Sequence, residues 1–179
     1  MEQISYGAPV LKCVRDATDM FLDVHLMVQE PRRQIGFFAE AGASLIDIHV
    51  ESGCDIAAAL REIRECGVKA ALAVKPGTPV ESVYEYLPLC DMVLVMTVEP
   101  GYGGQGLIPD TVPKIARLRQ YADENGFEGL NIEVDGGINA KTSEIARTAG
   151  ANVLVAGTAL FGAEDMSAAN RLLKGCANS

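Results

Sequence analysis

No apolar run in the 179-residue chain reaches the ~20 residues that a membrane span requires. The opening MEQISYGAPV also lacks the basic and apolar sections of a signal peptide. A cytoplasmic protein that meets no membrane is the expectation. Cysteine pairs at redox or metal-binding spacing are missing too. Cys13, Cys54, Cys66, Cys90 and Cys176 are odd in number, scattered, and form no CxxC, so free thiols are expected and not disulfides or a zinc knuckle. Positive charge is scarce. With 15 Lys and Arg against 24 Asp and Glu, the net charge of −9 argues against nucleic acid, whose phosphates demand a basic face. An anionic small substrate would therefore need a locally favourable pocket.

Apolar residues make up 49% of the chain, enough for one globular domain over residues 1–179. From Phe21 onward, short β-rich runs alternate with amphipathic stretches, the pattern of a parallel sheet with crossover helices. The expected strands are 21–28, 44–50, 69–74, 92–98, 131–136 and 152–160. Helix-like stretches lie between them, several opening on proline or a capping residue and closing on glycine. One joint repeats. Ala41-Gly42-Ala43 and Ala149-Gly150-Ala151 each lead into a branched apolar strand, so a turn-plus-strand unit has been used more than once.

Parallel strands are usually buried on both faces and read as continuous apolar runs. Three of these do not. Asp23, His25 and Met27, then Asp47, His49 and Glu51, then Glu133 and Asp135, each keep to one parity of their own strand. Ordinary packing gives no reason for that, so the face is expected to line a ligand site at the carboxyl ends of the strands. In NIEVDGGI the strand drives Asp135 to its end and stops on Gly136 and Gly137, which let a ligand approach bare backbone. A buried carboxylate is either held by a cation or works on protons. The glycine stretch Gly101, Tyr102, Gly103, Gly104 follows another strand, and its N–H groups can face an anion. Gly136, Gly137, Gly157 and the Thr158 hydroxyl can add to it. Such a site binds phosphate without Lys or Arg. The plainer readings are a strand-ending Asp-Gly turn, a hydrogen-bonded core histidine, flexible glycine turns, and Met27 and Met96 as core filling.

LDVHLMV, VLVMTVEPGYGGQ, IEVDGGI and VLVAGTALF stand in an order and spacing that resembles the ribulose-phosphate 3-epimerase family over essentially the whole chain. The resemblance implies an α/β fold of the (β/α)8 barrel family, here with about six βα units. It also implies interconversion of D-ribulose 5-phosphate and D-xylulose 5-phosphate in the pentose phosphate pathway, by metal-assisted proton transfer at C3 through an enediolate. His25 then looks like a metal-binding histidine, and Asp135 like a metal ligand that is also one of two acid/base groups. Gly101 to Gly104, Gly136, Gly137, Gly157 and Thr158 look like the phosphate grip, with Met27 and Met96 lining the pocket. The implied cofactor is a divalent cation, Zn²⁺, Fe²⁺ or Mn²⁺, with no organic cofactor. The implied partner is the sugar phosphate.

The family pattern also carries a first strand, a first helix and a second strand with HxDxMDGxFVPN ahead of the segment that here reads Ile4 to Val10. That is about 40 residues of a barrel of roughly 250. With it would go a second histidine, a second aspartate and a serine, and no other HxD occurs here. The expectation on that reading is little or no activity from the 179-residue polypeptide alone. It also leaves unpaired edges at strands 21–28 and 152–160, with assembly into a dimer or higher homo-oligomer. The competing readings are a catalytically impaired form that keeps sugar-phosphate binding, a 3-epimerase of hexulose 6-phosphate, and a doubly wound binding protein.

Overall fold

Runs rich in valine, isoleucine and leucine become strands, and the amphipathic stretches between them become helices. The computed structural model describes residues 6–101 and 104–176. In chain order the elements are α1 (Ala8–Ala17), β1 (Asp23–Leu26), α2 (Arg32–Glu40), β2 (Leu45–His49), α3 (Ile56–Glu65) and β3 (Lys69–Val74). There follow β4 (Met92–Met96), α4 (Val112–Glu124), β5 (Asn131–Asp135), α5 (Ala140–Thr148), β6 (Val153–Val155), α6 (Thr158–Phe161) and α7 (Met166–Leu173). The strand order is β1-β2-β3-β4-β5-β6, and β1 with β2, β2 with β3, and β5 with β6 pair in parallel. Sequential parallel strands with a helical crossover after each are the (β/α)8 barrel class, of which the described residues hold six strands.

The chain divides into two compact units, Met1–Ala73 with Val83–Met92, and Val74–Ser82 with Val93–Ser179. In the first, α3 buries Ile56, Ala59, Leu60 and Ile63, the i, i+3, i+4, i+7 stripe of an amphipathic helix. Asp55 starts that helix by accepting the Ala58 N–H at 3.0 Å. Ile35 and Phe38 of α2 are buried too, as are Ile46 and Ile48 of β2. Each such side chain contributes roughly 1.5–3 kcal/mol by leaving water. In the second unit α4 buries Ile115, Leu118 and Ala122, and β5 buries Ile132 and Val134 completely. Lys114 of α4 donates through Nζ to the carbonyls of Lys75 at 3.1 Å and Thr78 at 2.5 Å, and to that of Pro76, which anchors the loop after β3.

The structure departs from the expected elements in three places. The stretch expected as one strand over 152–160 is a strand only at Val153–Val155. Gly157 interrupts it, and Thr158–Phe161 turns helical. Val80–Leu89 winds as a 3-10 helix, with Pro88 inside it unable to donate to a regular ladder. Ala8–Ala17, which the strand-helix alternation from Phe21 did not cover, is a helix opened by proline in its first turn. Among the described residues no helix is long and apolar enough to cross a membrane.

Candidate active site

In the first unit, β1 alternates. Val24 and Leu26 are buried, which turns Asp23 and His25 to the other face. The register sets His25 directly beside Asp47 of β2, so both side chains leave the sheet on one side. His25 Nδ1 lies 2.5 Å from Asp47 Oδ2. His25 Nε2 lies 3.1 Å from His49 Nε2, the rings meeting edge-on with centroids 4.8 Å apart. His49 Nδ1 in turn lies 3.2 Å from Glu51 Oε2. An ionised carboxylate only accepts, so each Nδ1 donates its hydrogen outward and the two Nε2 atoms are left facing each other. A positive centre completes such a pair.

Asp47 is fully buried, and its Oδ1 has no hydrogen-bond partner among the described residues. A carboxylate in that position is costly unless positive charge compensates it nearby. Imidazole nitrogens backed by carboxylates are also the donor set that borderline divalent cations take. The cluster therefore has the chemistry of a cation site, although among the described residues no group of three or more such side chains is arranged to hold a metal ion. Burial first, and then the charges of Asp47 and Asp91, push the nearby Cys90 thiol up to about 12 against the pull of Arg64. At neutral pH Cys90 is a protonated thiol and no nucleophile.

The second unit builds a different arrangement from backbone. Thr97 follows β4 and is fully buried. Its N–H donates to the Asp135 carbonyl at 2.9 Å, and its own carbonyl accepts the Ile108 N–H at 2.8 Å. Its hydroxyl lies 2.9 Å from the Asp135 carbonyl and 2.6 Å from that of Gly136. Gly136 and Gly137 take φ of +119° and +66°. A Cβ on Gly137 would sit 2.1 Å from the Leu107 backbone nitrogen, and one on Gly136 would sit 2.3 Å from Val98 Cγ2. Only glycine lets the loop before Ile108 come this close to the end of β5. Asn139 then opens α5 with a reciprocal cap, and Thr142 Oγ1 donates back to the Gly137 carbonyl at 2.8 Å.

The expected residues that the structure describes each have a definite place. His25 is half-buried beside Asp47 and His49, with Met27 half-buried just past β1. Asp135 is half-buried as the last residue of β5, directly before the two glycines, and Met96 is buried as the last residue of β4. Gly101 and Gly104 are exposed in the loop after β4, while Tyr102 and Gly103 lie outside the described residues. Gly157 and Thr158 are exposed at the start of α6. Sequence reading passed over two residues that hold these turns. Thr97 is a lone hydroxyl inside MVLVMTV, where only burial makes it notable. Lys114 reads as an ordinary surface cation of α4.

The description "ribulose-phosphate 3 epimerase family" belongs to a family model that matches residues 1–161. The chain belongs to this family. Ribulose-phosphate 3-epimerase of Bacillus subtilis is 43% identical over 172 residues, which is 96% of this chain and 79% of that protein. The enzyme of the same name from Candida glabrata is 48% identical over 81% of this chain and 57% of its own length. The epimerase family is one of isomerases, and these likenesses favour neither the six-carbon nor the impaired reading. Among solved structures, a 3-hexulose-6-phosphate synthase superposes with a TM-score of 0.71 at 20% identity, covering 94% of this chain and 80% of its own. A KGPDC from Streptococcus mutans gives 0.72 at 13%, covering 95% and 78%. At those identities the likeness is one of fold.

Proposed function

We propose that this member of the epimerase family interconverts D-ribulose 5-phosphate and D-xylulose 5-phosphate, a step of the pentose phosphate pathway, by moving a proton at C3. The observation that carries the reading is the end of β5. There a half-buried carboxylate, Asp135, is followed at once by two left-handed glycines held against a second loop. A carboxylate and outward backbone N–H groups then share one strand end, which suits a substrate that is acidic at one end and loses a proton at the other. Asp135 acts as one of the two acid/base groups that inversion requires, taking the C3 proton or returning it. Gly101, Gly104, Gly136 and Gly137, with Gly157 and the Thr158 hydroxyl, are assigned to the phosphate. Tyr102 and Gly103 of the same loop join them on the family pattern. Met27 and Met96 are assigned to the sugar's carbon skeleton.

His25 and Asp135 are the residues assigned to a divalent cation, Zn²⁺, Fe²⁺ or Mn²⁺, and no organic cofactor is required. Such an ion, when bound, supplies Lewis-acid polarisation of the substrate oxygens. Asp47 orients the His25 ring through Nδ1, so that Nε2 carries the lone pair. We also assign the protein to the cytoplasm, in keeping with its five free cysteines. A homo-oligomer, dimer or higher, is proposed as well. Exposed apolar side chains such as Met20, Phe21 and Phe161 support it, and a monomer in light scattering would overturn it.

The experiment is a coupled assay that reads D-xylulose 5-phosphate formed from D-ribulose 5-phosphate, on protein loaded with each of the three metals. The family likeness makes turnover the expected outcome, in place of the little or none expected from the 179-residue sequence alone, and Asp135→Asn should then lower kcat at least about 100-fold with the fold intact. Folded, metal-loaded protein that ignores ribulose 5-phosphate, or an Asp135→Asn variant with full turnover, would sink the reading.

A further inference from the structure

A trans peptide is planar, with its C=O and the following N–H pointing in opposite directions. Whatever fixes the carbonyls of Asp135 and Gly136 therefore also fixes the directions of the Gly136 and Gly137 N–H groups. Among the described residues every peptide is trans, and the side chain that meets both carbonyls is that of Thr97. Its Oγ1 lies 2.9 Å from the Asp135 oxygen and 2.6 Å from the Gly136 oxygen. The hydroxyl has one hydrogen, which the two carbonyls share, with the shorter contact to Gly136. The Thr97 N–H adds a second hold on the Asp135 carbonyl at 2.9 Å. Both acceptors are thus drawn toward the end of β4, and both glycine N–H groups are turned the other way.

We propose that Thr97 is a positioning residue for phosphate recognition, acting by aiming the amides of Gly136 and Gly137. This rests on the assignment of those glycines to the phosphate. The geometry gives it a reason beyond packing. Gly136 and Gly137 sit at φ of +119° and +66°, where a glycine backbone has many alternative orientations and needs an external restraint. Thr97 is fully buried, so the restraint is not diluted by water. Its carbonyl also receives the Ile108 N–H at 2.8 Å, so one residue ties the loop after β4 and the turn after β5 to the same point.

Three variants and two constants test this. Thr97→Val keeps the shape and removes the hydroxyl; Thr97→Ser keeps the hydroxyl and removes the methyl. In Thr97→Val, the KM for ribulose 5-phosphate and the dissociation constant for inorganic phosphate, by calorimetry, are each expected to rise about ten-fold, the worth of one well-placed hydrogen bond. kcat should stay within about three-fold, and Thr97→Ser should bring both constants back to within about two-fold of the unaltered protein. A role in packing alone would lower the active fraction, and so kcat, without moving the phosphate constant. That outcome overturns the proposal, as do equal constants in Thr97→Val and the unaltered protein. Should Thr97→Val fail to fold, Thr97→Cys replaces it, a weaker donor of similar size. Its two constants should rise several-fold above those of Thr97→Ser, and equality between the two variants refutes the idea. Protein that binds phosphate in this Thr97-dependent way yet never turns over ribulose 5-phosphate would remove the epimerase reading and leave the positioning role standing. Protein that binds no phosphate removes both.

Discussion

The histidine cluster of the first unit and the glycine turn of the second are built on opposite plans. Around His25 the parts are side chains, charged or titratable and mostly buried, and one oxygen of Asp47 has no hydrogen-bond partner among the described residues. Around Gly136 the parts are backbone groups and hydroxyls, with carbonyls met by Thr97 and Thr142. The first arrangement is costly without positive charge, which makes it responsive to whatever cation or proton it meets. The second owes little to charge and nearly everything to shape. Its sensitivity should therefore be to volume and backbone direction, not to pH or salt.

The largest expected effect breaks the charged cluster. His25→Leu takes the Nδ1–H donor from the buried Asp47 carboxylate and should cost about 3 kcal/mol in denaturant unfolding, the loss of a hydrogen bond to a charged group left buried. Adding Asp47→Val should recover most of that loss while leaving the epimerase assay silent, because a buried pair replaced as a whole costs little. If the double variant is no more stable than the single, Asp47 is not the strained member and the contrast with the glycine turn loses its basis.

Next comes Gly137→Ala. Here the added Cβ meets the Leu107 backbone nitrogen at 2.1 Å, at a φ of +66° that L residues rarely adopt. Conformational strain alone is about 1–3 kcal/mol, and the loop must also move away. The loss should be the same at low and high salt. A salt-dependent loss would mean that charge, and not volume, governs this turn.

How much of this was legible in the residues depends on what each feature needs. Strand positions followed from the apolar runs, so four of the six expected segments match their strands to within two residues in all, while 21–28 is a strand only over Asp23–Leu26. The sixth was overextended because VLVAGTAL is apolar but for Gly157 and Thr158, and nothing in that run marks the end of the strand at Val155 or the helix that opens at Thr158. The polar parity of Asp47 and His49 was visible by alternation. Its pairing with His25 was not, because register is a relation between two strands that neither one carries alone. Thr97 and Lys114 were missed for the same reason. Both act on carbonyls distant in sequence, and a carbonyl leaves no mark in the amino-acid code.

A smaller effect separates the two regions by pH. The Cys90 thiol, raised from the ordinary 9.0 to about 12 chiefly by burial, keeps its proton in the folded protein while the unfolded chain releases it. A raised value of this kind leaves stability intact below pH 9 and removes it as pH climbs toward 12, at about 1.4 kcal/mol per pH unit. Between pH 9 and 10.5 the folded protein should therefore lose about 2 kcal/mol. Cys90→Ala should flatten that slope. An equal slope in the variant would place the alkaline loss elsewhere.

The smallest effect lies where the glycine turn hands over to α5. Asn139 Oδ1 accepts the N–H groups of Lys141 at 3.0 Å and Thr142 at 3.1 Å. The Thr142 hydroxyl oxygen accepts the Asn139 N–H at 2.8 Å. Asn139→Ala removes one half of that cap and should cost about 1 kcal/mol, a fall in Tm of roughly 2–4 °C, while Asn139→Asp should be nearly neutral. Phosphate affinity should change by less than about two-fold. Thr97 still holds the Gly136 carbonyl and Thr142 the Gly137 carbonyl, so the amides keep their directions even as the helix end frays. A large loss of phosphate binding in Asn139→Ala would show that the helix start, and not the hydroxyl after β4, sets the turn.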